Sequence, residues 1–239
     1  MSNPVFVAID TTETGTATAL ASRLDGLVGG IKLGLEFFSA QGPAGIATVA
    51  HARSGAPLFI DLKLHDIPNT VAGAMRGLVR LAPAMTTVHA SGGIEMMKAA
   101  VEAGRDEAAR LGVAPPKVLA VTILTSLDQG AIEAVGYDRP VLDQVKRLAD
   151  LAAKAGVDGL VCSPHEVAAL RAQMGRAMTL VVPGIRPAWS VTGDQKRVMT
   201  PREALTAGAD ILVIGRPITA ATDPAEAADR IVADLRQRP

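Results

Sequence analysis

The sequence predicts an α/β chain folded as a single (β/α)8 (TIM) barrel across residues 1–239, and three observations carry that expectation. Short apolar runs alternate with longer Ala-rich helical segments from end to end, eight of each, and eight strand–helix units close a barrel. The runs are continuously apolar rather than alternating, as in parallel strands covered on both faces. The rival arrangement, a doubly wound open sheet, is weakened because no Gly-x-Gly-x-x-Gly follows the first run.

The units follow one another without a linker, a low-complexity tract or a sign of a second domain. Strands are expected at 5–9, 30–33, 58–63, 86–89, 118–123, 159–162, 180–182 and 211–214. Helices are expected near 13–24, 42–54, 69–81, 94–110, 139–155, 164–172, 201–207 and 224–236. The first run is Val5-Phe-Val-Ala-Ile9, and Pro57 bounds the third, whose Leu58-Phe-Ile60 reads as a buried strand. Pro68-Asn69 opens the helix that follows it.

A chain of 239 residues, 49% of them hydrophobic, is long and apolar enough for a substantial core. Its 24 basic and 24 acidic residues cancel and form no basic block, so nucleic-acid binding has no electrostatic support. One cysteine, Cys162, permits no intramolecular disulfide and fits a reducing compartment. Met1-Ser-Asn-Pro leads straight into the first strand without a basic, apolar leader, and no apolar run reaches the roughly 18 residues of a membrane helix. The expectation is a cytoplasmic protein with no membrane partner. His51, His65, His89 and His165 lack metal-ligand spacing, so no metal site is expected.

In such a barrel the chemistry sits at the C-terminal ends of the strands. The third strand is the most informative, because Asp61 and Lys63 lie two residues apart and so share a face, opposite Leu62 and Leu64. Around the same rim the strand ends supply Asp10, Lys32, His89, Thr122-Ile-Leu-Thr-Ser126, Cys162-Ser-Pro, Pro183-Gly-Ile-Arg186 and Gly215-Arg216. Any one of these could be a structural cap or ion pair; so many on one rim read as a site. Arg186 and Arg216, beside Gly184 and Gly215, suit a phosphate, which barrels often bind after strands seven and eight. The long segment 186–197 between strand seven and its helix reads as a binding loop, with Gly193 giving it freedom and Gln195 placed to reach a phosphate. Its Trp189 reads as a packing or lid residue. Cys162 reads as a small buried apolar residue, His89 as rim architecture, His165 as a helix-start residue, and Asp128 and Asp138 as loop or capping residues.

These residues carry a family resemblance. Asp61-Leu-Lys-Leu-His-Asp-Ile-Pro-Asn-Thr70, Pro183-Gly-Ile-Arg-Pro with Gly193-Asp-Gln-Lys-Arg and Met199-Thr-Pro201, and Val213-Ile-Gly-Arg-Pro217 together resemble the signatures of the orotidine 5′-phosphate decarboxylases, in their short stand-alone bacterial form. The resemblance runs from Val5 to the last helix. It implies conversion of orotidine 5′-phosphate to UMP and CO2, in pyrimidine biosynthesis, with neither metal nor organic cofactor. Lys32, Asp61, Lys63 and Asp66 would form a charged array at the reacting carbon, with Lys63 stabilising the C6 carbanion and then protonating it. Asp10 and Lys32 would contact ribose, Thr125 and Ser126 the pyrimidine, and Gln195, Gly215, Arg216 and nearby Arg186 the phosphate. Asp66, Ile67 and Thr70 would complete the neighbouring subunit's site, which implies a homodimer. Two rivals remain: a Mg2+-dependent phosphosugar enzyme of the keto-gulonate phosphate decarboxylase or hexulose phosphate synthase kind, disfavoured by Lys32 where a metal-binding carboxylate is needed, and a non-catalytic phosphate-binding barrel.

Overall fold

Strands that are apolar on both faces must be covered on both, and the chain satisfies this by closing the sheet on itself. The computed structural model describes residues 3–190 and 199–236. Its strands are β1 (Val5–Ile9), β2 (Gly30–Gly34), β3 (Leu58–Leu64), β4 (Met85–His89), β5 (Lys117–Val121), β6 (Gly159–Val161), β7 (Thr179–Val182) and β8 (Ile211–Ile214). They pair in chain order into a closed barrel, every pair parallel, with β1 also bonded to β8. The molecule is a single (β/α)8 barrel.

The helices are α1 (Thr14–Arg23), α2 (Leu35–His51), α3 (Pro68–Val79), α4 (Gly93–Leu111), α5 (Gln129–Ala134), α6 (Val141–Lys154), α7 (Val167–Met174), α8 (Pro201–Ala207), α9 (Arg216–Thr219) and α10 (Pro224–Arg236), with 3-10 turns at Ala90–Gly92 and Pro164–Glu166. Three differ from expectation. The second helix starts at Leu35 rather than near 42, because Gly42 (φ 60°) and Pro43 break it in the middle instead of opening it. Helix α5 is unanticipated, held by Asp128, whose side chain accepts the Ala131 N–H at 3.0 Å. Helix α9 occupies four residues where only a strand end was read. None of the described helices is long and apolar enough to cross a membrane.

Two apolar clusters follow from the period-two geometry of strands. The larger lies between the outer faces of the strands and the helices, and includes Val5, Val7, Ile9, Ile60 and Leu62. The smaller takes the alternate residues Phe6, Ala8, Phe59, Met85, Leu119, Val181 and Val213, and fills the barrel. Each large side chain so buried contributes about 1.5–3 kcal/mol. Gly30 makes room for this plug: a Cβ there would lie 2.4 Å from the Phe6 ring. Followed toward the C-terminal rim, the inward positions change from apolar to charged: Phe6, Ala8 and Asp10; Gly30 and Lys32; Phe59 and Asp61; Met85, Thr87 and His89. The apolar plug is the floor of the site.

Candidate active site

The site begins with an irregularity in β3. Its register against β4 pairs Ile60 with Thr86 and Leu64 with Val88, so Asp61, Leu62 and Lys63 lie opposite Thr87 alone. Such a bulge re-aims side chains at a strand end. Lys63 absorbs the distortion in a left-handed backbone conformation, φ 52°, which costs a non-glycine residue on the order of 1–2 kcal/mol. Thr87 replaces the missing ladder partner: the Lys63 backbone N–H donates to its Oγ1 at 2.8 Å. The Thr87 hydroxyl in turn donates to Asp61 Oδ1 at 2.9 Å.

On the other Asp61 oxygen, Lys63 Nζ sits 2.9 Å from Oδ2 and Lys32 Nζ 3.6 Å from the same atom. Lys32 also reaches Asp10 Oδ1 at 3.4 Å. Lys32 and Asp61 are 8% and 9% exposed, so these charges are held largely out of water, where their mutual fields are strong. Burial by itself would push the Asp61 carboxyl up. The ammonium groups of Lys32 and Lys63 and the hydrogen bonds from Lys63 and Thr87 outweigh it and hold Asp61 below its usual range, ionised. Gly34 keeps the rim open beside this array, since a Cβ there would stand 3.0 Å from Lys32 Nζ. Beside it, burial and Coulombic repulsion from neighbouring His65 and Lys63 push the His89 imidazole down, against the pull of Asp61. The His65 and His89 rings lie 5.4 Å apart.

Asp10, Lys32, Asp61 and Lys63 are thus brought together. Asp66, Ile67 and Thr70 are not: they are exposed on the turn into α3 and on its first residues, and Asp66 Oδ1 accepts the Ile67 N–H at 2.6 Å. Thr125 is half-buried and Ser126 exposed in the turn after β5. Gly215 caps α9, and a Cβ on it would lie 3.9 Å from Asp10 Oδ2, so the end of β8 adjoins the end of β1. Arg216 is exposed on the first residue of α9. Arg186 is buried, its backbone N–H donating to the Met199 carbonyl at 3.0 Å. Gln195 and Gly193 lie outside the described residues. Trp189 packs against the larger core cluster with the Arg230 guanidinium 4.5 Å above its ring, a packing role. Cys162 is buried, and burial pushes its thiol up, away from a nucleophile's range. Among the described residues no three His, Cys, Asp or Glu side chains converge as metal ligands.

The family model described as Orotidine 5′-phosphate decarboxylase / HUMPS family matches residues 3–231. The chain belongs to the orotidine 5′-phosphate decarboxylase / HUMPS family. It is an enzyme, a carboxy-lyase. The orotidine 5′-phosphate decarboxylase of Paramagnetospirillum magneticum is 67% identical over 98% of this chain and 99% of its own length. That of Rhodospirillum rubrum is 60% identical over 98% and 94%. The crystal structure of orotidine 5′-phosphate decarboxylase from Lactobacillus acidophilus matches with a TM-score of 0.87 and 36% identity, over 98% of this chain and 100% of that one.

Sequence reasoning missed two residues of this decarboxylase-family site. Thr87 shares the inward parity of Met85 and His89, a signal masked because threonine is an ordinary strand residue. Gly34 lies just past the strand expected at 30–33, and the structure extends that strand to include it.

Proposed function

We propose that the chain converts orotidine 5′-phosphate to UMP and CO2 by stabilising a carbanion at pyrimidine C6 without a metal ion. The observation that carries this reading is the Lys32–Asp61–Lys63 array, two ammonium groups clamped on one buried, ionised carboxylate at the mouth of the barrel. Loss of CO2 breaks the bond between C6 and the carboxylate carbon and leaves the electron pair on C6, where delocalisation is poor. A fixed ammonium stabilises that charge as it develops without reorganising at the moment of reaction. Lys63 is that ammonium; it then donates a proton to C6 and regains one from solvent. Asp61 sits by the departing carboxylate and orients both lysines through its Oδ2. A cationic Lys32 repels a divalent ion, which favours this chemistry over a Mg2+-held enediolate.

Asp10 and Lys32 bind ribose, Thr125 and Ser126 approach the pyrimidine, and Gln195, Gly215 and Arg216, with Arg186 near, hold the phosphate. Binding energy realised there, away from C6, can be spent on assembling the charged array. Asp66, Ile67 and Thr70 complete the site of a second copy in a homodimer; their exposure at the rim, with Ile67 67% accessible, supports this. The reaction belongs to pyrimidine nucleotide synthesis in the cytoplasm. The test is turnover of orotidine 5′-phosphate, followed by its absorbance change, with and without EDTA. Equal rates are expected. Turnover abolished by EDTA and restored by Mg2+ would favour the metal-dependent reading, and UMP binding without turnover the non-catalytic one.

A further inference from the structure

We infer that Thr87 is a positioning residue of the site, its single hydroxyl fixing both the Asp61 carboxylate and the backbone that aims Lys63. The inference rests on the proposed decarboxylation and deepens it.

Three residues of β3 face one residue of β4 here, so the bulge leaves backbone groups without ladder partners. A buried unpaired N–H is costly, about 1–3 kcal/mol. Thr87 is fully buried, and its hydroxyl answers that need while doing a second thing. It accepts from the Lys63 N–H at 2.8 Å and donates to Asp61 Oδ1 at 2.9 Å. A hydroxyl combines one donor with acceptor lone pairs, so it can serve both groups at once; an isosteric valine can serve neither. Donation to Oδ1 settles the rotation of the carboxylate and leaves Oδ2 to the two ammonium groups. Acceptance from the Lys63 N–H helps hold that residue at φ 52°, a conformation uncommon for a residue with a side chain. The Lys63 side chain therefore leaves the backbone in a direction that Thr87 sets.

The neighbouring Thr86 gives the contrast. It is equally buried on the opposite face of β4, and its Oγ1 has no hydrogen-bond partner. Of two adjacent threonines with the same strand propensity, only the inward one has its hydroxyl engaged. The charged or titratable groups around the Asp61 carboxylate are Lys32 from β2, Lys63 from β3, His89 from β4 and, beyond Lys32, Asp10.

The experiment compares the steady-state turnover of orotidine 5′-phosphate by the wild type with that of Thr87→Val, Thr87→Ser and the control Thr86→Val, each across pH, with thermal unfolding alongside. Thr87→Val is expected to lower kcat at least tenfold with KM within about threefold, because the distant phosphate contacts are untouched. Its acid limb in kcat should move to higher pH, since the lost hydrogen bond favoured the ionised carboxylate. Thr87→Ser should regain most of the rate, and Thr86→Val should match the wild type. A Thr87→Val rate within twofold of wild type, an unmoved acid limb, or a Thr87→Ser enzyme as impaired as Thr87→Val would overturn the inference. If Thr87→Val does not fold, Thr87→Ala read in the same way decides. An inactive wild type would remove the decarboxylase reading itself, whereas an active wild type with an indifferent Thr87 removes only this inference.

Discussion

Asp61 shows how far one residue's environment is written in its neighbours. Its low exposure would favour the neutral acid, yet two ammonium groups and the Thr87 hydroxyl keep it charged. Its folded-state pKa is therefore below the ordinary value, so its ionisation stabilises the fold above the unfolded-state pKa of about 3.9. That contribution is lost as pH falls through the lower folded value. Asp61→Asn removes the charge and leaves Lys32 and Lys63 facing an amide, at a cost of about 1–3 kcal/mol near neutral pH. Urea unfolding of both proteins from pH 7 downward should show the gap narrowing as acid protonates the wild-type carboxylate. A gap that widens in acid would mean that Asp61 is neutral when folded. The pairing of Asp61 with Lys63 was legible from a spacing of two residues. The bulge that brings it about was not, because a left-handed lysine has no signature in composition or period.

At the scale of elements, legibility followed chemistry. Parallel strands buried on both faces read as apolar runs, and all eight were found within a few residues of their ends. Helices α5 and α9, six and four residues long, are too short to show a period, and the Gly42-Pro43 break looked like a helix start rather than a kink. The exit from α3 illustrates a conformational cost of the same hidden kind. Ala82 is exposed with φ 47°, and its N–H donates to the Val79 carbonyl at 2.9 Å. Glycine adopts this conformation freely, although it adds entropy to the unfolded chain. Ala82→Gly should therefore raise stability by about 0.5–1 kcal/mol, on the order of 1–4 °C in Tm for a chain of this size, with kcat unchanged. Calorimetry showing a lower Tm would mean that Ala82 is not strained.

For the whole molecule, the decisive feature is that the proposed site residues fall in two separate places. The array of Asp10, Lys32, Asp61 and Lys63 lies in the barrel mouth, while Asp66, Ile67 and Thr70 are exposed at the rim. A large aliphatic side chain 67% accessible beside a charged site fits a surface that another copy covers. Ile67→Asp should shift the protein toward monomer in analytical ultracentrifugation and lower specific activity, more so on dilution. A variant that stays dimeric and fully active would remove Ile67 from the interface. This level was the least legible from residues alone, since an exposed isoleucine in a turn has no periodic signal, and the expectation of a homodimer came from family resemblance.

The central claim is that an ammonium fixed at the barrel mouth carries the reaction, and Lys63→Ala tests it most directly. Removing one pre-organised donor to a developing charge costs about 2.7–4 kcal/mol in other enzymes, on the order of 10²–10³ in rate. Conversion of orotidine 5′-phosphate to UMP by the folded variant should therefore fall at least that far below the wild type, while UMP still binds. A Lys63→Ala enzyme turning over within tenfold of wild type would contradict the account.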